Sequence, residues 1–191
     1  MKIFIRILKA GIVLAGIVFT IMFFSNVPGM YKIWSYLATL ILPFAVDFIK
    51  IFGLKVSKKF ELAYLLFLLP AMIVGIDLDW YKLMPPFDKI VHGLSGVLAA
   101  YGAREIILQA SGKPDKLGFK VMFSISFVAF TAVAWECTEF LIDQVAGTNM
   151  QELLQCGTAD TMYDMIVALA GGVIGTFLAF TTFKKPKRKA S

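Results

Sequence analysis

Long apolar stretches separated by short polar ones dominate the pattern of the chain. Six segments each hold roughly twenty mostly apolar residues, at 3–24, 33–53, 60–76, 87–108, 117–143 and 160–183. About twenty such residues let a helix cross a bilayer, and these stretches are too long and too evenly apolar for the strands of a membrane barrel. We therefore expect an all-α polytopic membrane protein, a bundle of six transmembrane helices.

The connections between the segments are short, without repeats or low-complexity tracts. The chain 1–191 is therefore expected to form a single integral membrane domain, with a basic tail at 184–191. The first segment follows Lys2, Arg6 and Lys9, as the apolar part of a secretory signal would. Its apolar run is longer than such a signal needs, and no small-residue cleavage pattern follows it. We predict that it is retained as a membrane helix.

Composition and charge agree with this prediction. Hydrophobic residues make up 59% of the chain, charged residues only 17%, and the mean hydropathy is +0.77. Soluble domains carry about 25% charged residues, so a water-soluble globule is excluded. Of the 19 Lys and Arg residues, all but Lys32, Lys82 and Lys89 fall on one predicted side. The positive-inside rule then places both termini in the cytoplasm. Because this placement accounts for the net charge of +6, we expect no nucleic-acid partner.

Ionisable residues inside a bilayer are costly and indicate function by default. Four acids, at 47, 61, 105 and 115, have basic sequence neighbours and are expected to lie at the inner interface, with Glu61 screened by Lys58 and Lys59. A larger set lies at the outer ends of the last three predicted helices. Spacings of three and four residues put each helix's share on one face, and most lie within about 10 Å of the interface. They are Asp88, His92, Glu136, Glu139, Asp143, Asp160 and Asp164.

Small residues continue these faces inward and predict that the three helices meet closely. The faces run through Ser95, Ala99 and Gly102 on the fourth segment, Ala132 and Ala129 on the fifth, and Ala168, Gly171 and Gly175 on the sixth. Small residues let membrane helices approach one another. We expect the acids to converge in one pocket.

Such a cluster cannot keep all its negative charges bare, because burial and like charges disfavour ionised carboxylates. We expect Lys89 to turn away from this face. Shared protons, a basic ligand or a divalent cation then remain. Oxygen ligands with one imidazole suit Zn²⁺, Mn²⁺, Mg²⁺ or Ca²⁺. The predicted metal ligands are Asp88, His92, Glu139, Asp160 and Asp164, and Glu136 or Glu139 is the predicted general base.

Simpler interpretations stay open for several of these residues. In the simpler interpretation, His92, Glu136 and Glu139 only form hydrogen bonds to neighbouring helices, and the two glutamates are protonated. Asp160 has the alternative of capping the sixth helix. Cys137 and Cys156 could form a disulfide outside the reducing cytosol, although the sequence does not favour one.

Three motifs resemble the YjdF-like family of bacterial inner-membrane proteins and, more distantly, VanZ-like proteins. They are Phe87-Asp-Lys-Ile-Val-His92-Gly-Leu-Ser-Gly96, Trp135-Glu-x-x-Glu139 and Gly157-Thr-Ala-Asp160-Thr-Met-Tyr-Asp164. The resemblance implies a small multi-pass protein of the bacterial inner membrane, and its VanZ-like part points to the cell envelope. It transfers no catalytic residue. The chain also has Glu136-x-x-Glu139 where VanZ-like proteins carry Glu-x-x-Gln.

The leading hypothesis is an outward-facing carboxylate–histidine site that binds a divalent cation. Its partners would be membrane lipids and a lipid-linked or envelope substrate, on which the protein would act as a metal-dependent hydrolase or transferase. One alternative is a proton- or cation-coupled transporter, although acids do not continue across the membrane. The other is a non-catalytic scaffold joined by protonated carboxylates.

Overall fold

A computed structural model describes residues 1–26, 31–110, 116–151 and 157–181, and every regular element in these ranges is helical. The all-α prediction is confirmed. The α-helices, numbered along the chain, are α1 (Lys2–Asn26), α2 (Tyr31–Ile41), α3 (Ala45–Ile51), α4 (Lys58–Leu68), α5 (Trp80–Leu83), α6 (Pro86–Ile107), α7 (Leu117–Ala146) and α8 (Ala159–Thr181).

Four helical stretches in the described ranges are long and apolar enough to cross a membrane. They are Lys2–Met22, Lys58–Asp77, Leu117–Ala146 and Ala159–Thr181. The predicted fourth segment is a continuous helix, α6, but charged residues near both its ends reduce its hydropathy. The count of six spans is therefore not confirmed. The cytoplasmic placement of the termini stays a prediction, and the tail 184–191 lies outside the described residues.

The segment 33–53 is not one continuous helix. It is divided by a short 3₁₀ turn, Leu42–Phe44, that contains the buried Pro43. Proline has no backbone N–H and clashes with the preceding turn of an α-helix, so α2 ends here and α3 begins after the turn. The Tyr64 hydroxyl donates to the Leu42 carbonyl oxygen at 2.9 Å and thereby fastens this break to α4.

A second proline alters the helix that follows. After Leu68 the α4 helix widens into a π-helical stretch, Leu69–Asp77, with Pro70 in its first turn. Pro70 cannot donate the usual backbone hydrogen bond, and such widened turns occur where the regular ladder is interrupted. The Tyr81 ring lies over Gly75, and its hydroxyl donates to the Ala71 carbonyl oxygen at 3.0 Å. These contacts join α5 to the π-helical stretch that precedes it.

Large apolar side chains face outward along the helices. On α8, Ile166, Val173 and Phe177 are 57%, 58% and 66% exposed, whereas Asp164, Gly171 and Thr176 of the same helix are buried. A water-soluble protein rarely leaves such a contiguous apolar surface open to solvent. A surface more apolar than the interior is expected where lipid is the surrounding solvent.

α6 and α8 make the closest contact in the described bundle, and glycines allow it. A methyl group added at Gly96 of α6 would lie 1.9 Å from the Ala168 carbonyl oxygen, and one added at Gly171 of α8 would lie 2.0 Å from that of Gly93. The predicted close approach of these helices is present. On α6, however, the buried small residues are Gly96, Ala100 and Ala103 rather than Ser95, Ala99 and Gly102.

Candidate functional site

The close contact of α6 with α8 brings charged side chains together at the ends where both helices begin. α6 supplies Asp88 and Lys89 from its first turns, and α8 supplies Asp160 and Asp164, one turn apart. The Lys89 ammonium lies 2.5 Å from Asp160 Oδ1, 2.7 Å from Asp164 Oδ1 and 3.0 Å from Asp88 Oδ2. One lysine thus connects three carboxylates across the helix pair.

His92 lies one turn deeper on α6, on the same face as Asp88. Its Nε2 atom is 3.5 Å from Asp88 Oδ1 and 3.8 Å from Asp164 Oδ1. One possible ligand atom from each of these three residues lies within 4.8 Å of the other two. Asp164 is buried, whereas the side chains of His92 and Asp88 are 11% and 28% exposed, so the group lies at the border between the bundle interior and its surface.

α7 contributes Glu136 beside this group. Its Oε1 atom is 4.0 Å from His92 Nδ1, and its Oε2 atom is buried and accepts no hydrogen bond within the described part of the chain. The backbone carbonyl of Glu136 accepts from Gln151 Nε2 at 3.3 Å, and the same amide nitrogen lies 3.3 Å from the Thr161 hydroxyl. A buried carboxylate oxygen with no donor is suited to accept a proton or to bind a cation.

Glu139 is held differently. Trp135, one turn earlier on α7, donates its indole N–H to Glu139 Oε1 at 2.7 Å. The structure does not bring Glu139 into the Asp88–His92–Asp164 group. Both α7 glutamates are nevertheless buried, as the sequence predicts.

Asp143 and Asp160 have structural positions that the sequence does not distinguish from those of the other acids. Asp143 is buried and caps the loop after α7. It accepts from the Thr148 hydroxyl and from the amides of Met150 and Gln151, at 2.8 and 3.1 Å for the amides. Asp160 lies inside the first turn of α8, which begins at Ala159, so the N-cap interpretation was wrong.

The prediction that Lys89 turns away from the acidic face was also wrong. Asp88 and Lys89 are adjacent, yet the long lysine side chain reaches across to α8. The signal available in the sequence was that Lys89 is the sole cation near six carboxylates. Cys137 is an exposed free thiol, and Cys156 lies outside the described residues.

Tyr81 of α5 borders this site. Burial raises the pKa of its hydroxyl above the usual value, and the charges of Asp88, Glu139 and Asp164 raise this pKa further. The hydroxyl therefore stays protonated and keeps its hydrogen bond to Ala71.

A family profile described as "Predicted membrane protein (DUF2238)" matches residues 9–185, nearly the whole chain. The chain belongs to this family. The match confirms the resemblance to YjdF-like proteins, whereas the VanZ-like part stays a resemblance of motifs. No curated protein and no solved structure matches the chain. Together with the four apolar helices, the family identifies an integral membrane protein.

Membership of this family leaves the chemistry to be argued from the site itself. Four carboxylates, at 88, 136, 160 and 164, lie within 4.0 Å of one lysine or one histidine. Glu139 lies close enough to act electrostatically on Glu136, Asp88 and Asp164. Even with His92 protonated, the cations are fewer than the carboxylates. The site therefore has an excess of negative charge that a divalent cation or shared protons would neutralise.

Proposed function

We propose that this membrane protein binds one divalent cation through Asp88, His92 and Asp164. The observation that carries the proposal is that possible ligand atoms of these residues, from two helices, lie within 4.8 Å of one another. Two carboxylates and one imidazole form a donor set suited to Zn²⁺ or Mn²⁺, with water completing the coordination. The excess of carboxylates supports the same proposal.

Glu136 supports a catalytic use of the bound cation. The cation would polarise a phosphoryl or ester group of a lipid-linked or envelope substrate, and Glu136 would take the proton from an attacking water. Glu136 fits this role better than Glu139, because Oε2 of Glu136 has no donor among the described residues, whereas Trp135 already donates to Glu139. In this proposal the protein lies in the bacterial inner membrane, with the site facing outward.

A structural role is the second candidate, and one observation favours it. Lys89 already joins Asp88, Asp160 and Asp164, all within 3.0 Å. An ion-pair network of this kind would fasten α6 to α8 without a metal. The two candidates differ in what Lys89 does to a cation: if a cation binds at Asp164, the ammonium 2.7 Å away opposes it.

The decisive experiment measures Mn²⁺ bound to the purified full-length protein by electron paramagnetic resonance. We expect about one Mn²⁺ per chain, affinity at least tenfold weaker in Asp164→Asn, and tighter binding in Lys89→Met, which removes a competing charge. Asp79→Asn is the matched control, because Asp79 is at the same end of the bundle and its side chain is 43% exposed. Wild-type protein that stays metal-free at saturating Mn²⁺ and Zn²⁺ would reject the cation and favour the structural network.

A further inference from the structure

A second polar region lies at the opposite end of the bundle, separated from the carboxylate–histidine site by the length of the Lys58–Asp77 stretch. It is a cavity of about 370 Å³, open to the surface, between α1, α3 and α4. This volume falls in the range that holds small ligands. The charged residues that line it are Lys2, Arg6, Lys9, Asp47, Lys58 and Glu61.

The two acids of this cavity are already matched by two lysines. Lys9 lies 2.5 Å from Asp47 and 2.7 Å from Glu61, and its side chain is only 12% exposed. Lys50 completes the arrangement at 3.2 and 2.9 Å from the same two carboxylates. Glu61 is thus paired directly with Lys9 and Lys50. Its sequence neighbour Lys58, which the sequence suggests as a screening charge, acts on Glu61 electrostatically but forms no ion pair with it.

Three further cations line the cavity without forming an ion pair in the described part of the chain, although Glu61 acts electrostatically on Lys58. Within the described ranges, no acid lies within ion-pair distance of Lys2, Arg6 or Lys58. Lys2 and Lys58 are close enough to act on each other electrostatically. Three like charges around one concave space repel one another, and an anion placed between them would remove that repulsion.

We propose that this cavity binds a phosphate group, either that of an anionic lipid headgroup or a free phosphate ion. A phosphate offers several acceptor oxygens to one guanidinium and two ammonium groups, and arginine recognises it with paired donors. The ion pairs of Lys9 and Lys50 would hold the cavity wall in place while Lys2, Arg6 and Lys58 contact the anion.

The surroundings of the cavity are compatible with a lipid. Ile5 lines it, and Ile3 and Ile7 on the same helix turn toward the outside at 72% and 62% exposure. An acyl chain has an apolar surface to follow once its headgroup is bound. Each basic residue near the end of a membrane helix strengthens the binding of an anionic headgroup by a factor of about five.

The test compares two double variants of the full-length protein in a nonionic detergent. Arg6→Gln with Lys58→Gln removes two charges from the cavity, and Lys55→Gln with Lys59→Gln removes two exposed charges at the same end that do not line it. Each protein is titrated with phosphatidylglycerol or phosphatidylcholine and measured by native mass spectrometry. Inorganic phosphate is titrated separately by calorimetry. The single variant Arg6→Gln changes only one exposed residue, so it provides a second test of the cavity if the double variant does not fold.

We expect saturable binding of phosphatidylglycerol but not of phosphatidylcholine. The cavity double variant should bind about thirtyfold more weakly and Arg6→Gln about fivefold more weakly, with the control pair within twofold of wild type. Saturable binding of inorganic phosphate alone, with the same dependence on the variants, would support the proposal with a soluble source. Equal losses of affinity in both double variants would overturn the proposal, as would the absence of saturable binding of both phosphatidylglycerol and inorganic phosphate.

Discussion

Replacing Gly96 by alanine tests whether the close contact of α6 with α8 holds the bundle and its site together. The added carbon would lie 1.9 Å from the Ala168 carbonyl oxygen, whereas non-bonded heavy atoms normally lie about 3.5 Å apart. The obstructing atom belongs to the backbone and cannot rotate away. The two helices must therefore separate by more than about 1 Å.

The structure predicts a graded series rather than a single effect. The corresponding distance is 2.0 Å at Gly171 and 2.8 Å at Gly175, while at Gly93 the nearest atom is a valine methyl at 3.4 Å. Overpacking commonly costs about 1–3 kcal/mol, and we expect Gly96→Ala and Gly171→Ala to reach or exceed about 3 kcal/mol. Gly175→Ala should cost about half as much and Gly93→Ala very little.

The assay is thermal unfolding of the detergent-solubilised protein, followed by circular dichroism. A loss of about 3 kcal/mol corresponds to a decrease in Tm of roughly 10 °C for a chain of this size. Gly11→Ala is the matched control, because nothing lies within 4 Å of its added carbon. A Tm for Gly96→Ala within about 2 °C of wild type, or a larger loss at Gly93 than at Gly96, would refute the reasoning.

Three further predictions follow from individual contacts. Lys89→Met should destabilise the metal-free protein by about 3 kcal/mol in denaturant unfolding, because it leaves buried carboxylates uncompensated. Saturating Mn²⁺ should restore part of this loss, and an unchanged stability would contradict the ion-pair geometry. Asp143→Ala should cost about 2 kcal/mol and speed amide exchange at Met150 and Gln151, which donate to this carboxylate, and unchanged exchange rates would argue against the cap. Thr176→Val should lower the free energy of unfolding by about 1 kcal/mol, because it removes the 2.8 Å hydrogen bond to the buried Ser124. A double-mutant cycle with Ser124→Ala should show a coupling energy of about 0.6 kcal/mol, and additive effects of the two substitutions would contradict a direct bond.

Several features of the fold were accessible from the sequence because they depend on local, additive properties. The apolar lengths predicted α1, α7 and α8 as potential spans, and the three- and four-residue spacings placed Asp88 with His92 and Asp160 with Asp164 on common helix faces. A residue's position on a helix follows from its number alone.

The partners of the charged side chains were decided only by the tertiary structure. A lysine has a long, flexible stem, so the sequence position of Lys89 left open whether its ammonium would turn to lipid or, as found, reach Asp160 and Asp164 on another helix. Glu61 at the opposite end of the bundle is a second case, because it forms its ion pair with Lys9, 52 positions away, and not with the neighbouring lysines that the sequence suggests. Hydropathy and helical periodicity act over a few residues, whereas the pairing of charges depends on how closely the glycines of α6 and α8 let the backbones approach and on how the prolines divide the intervening helices.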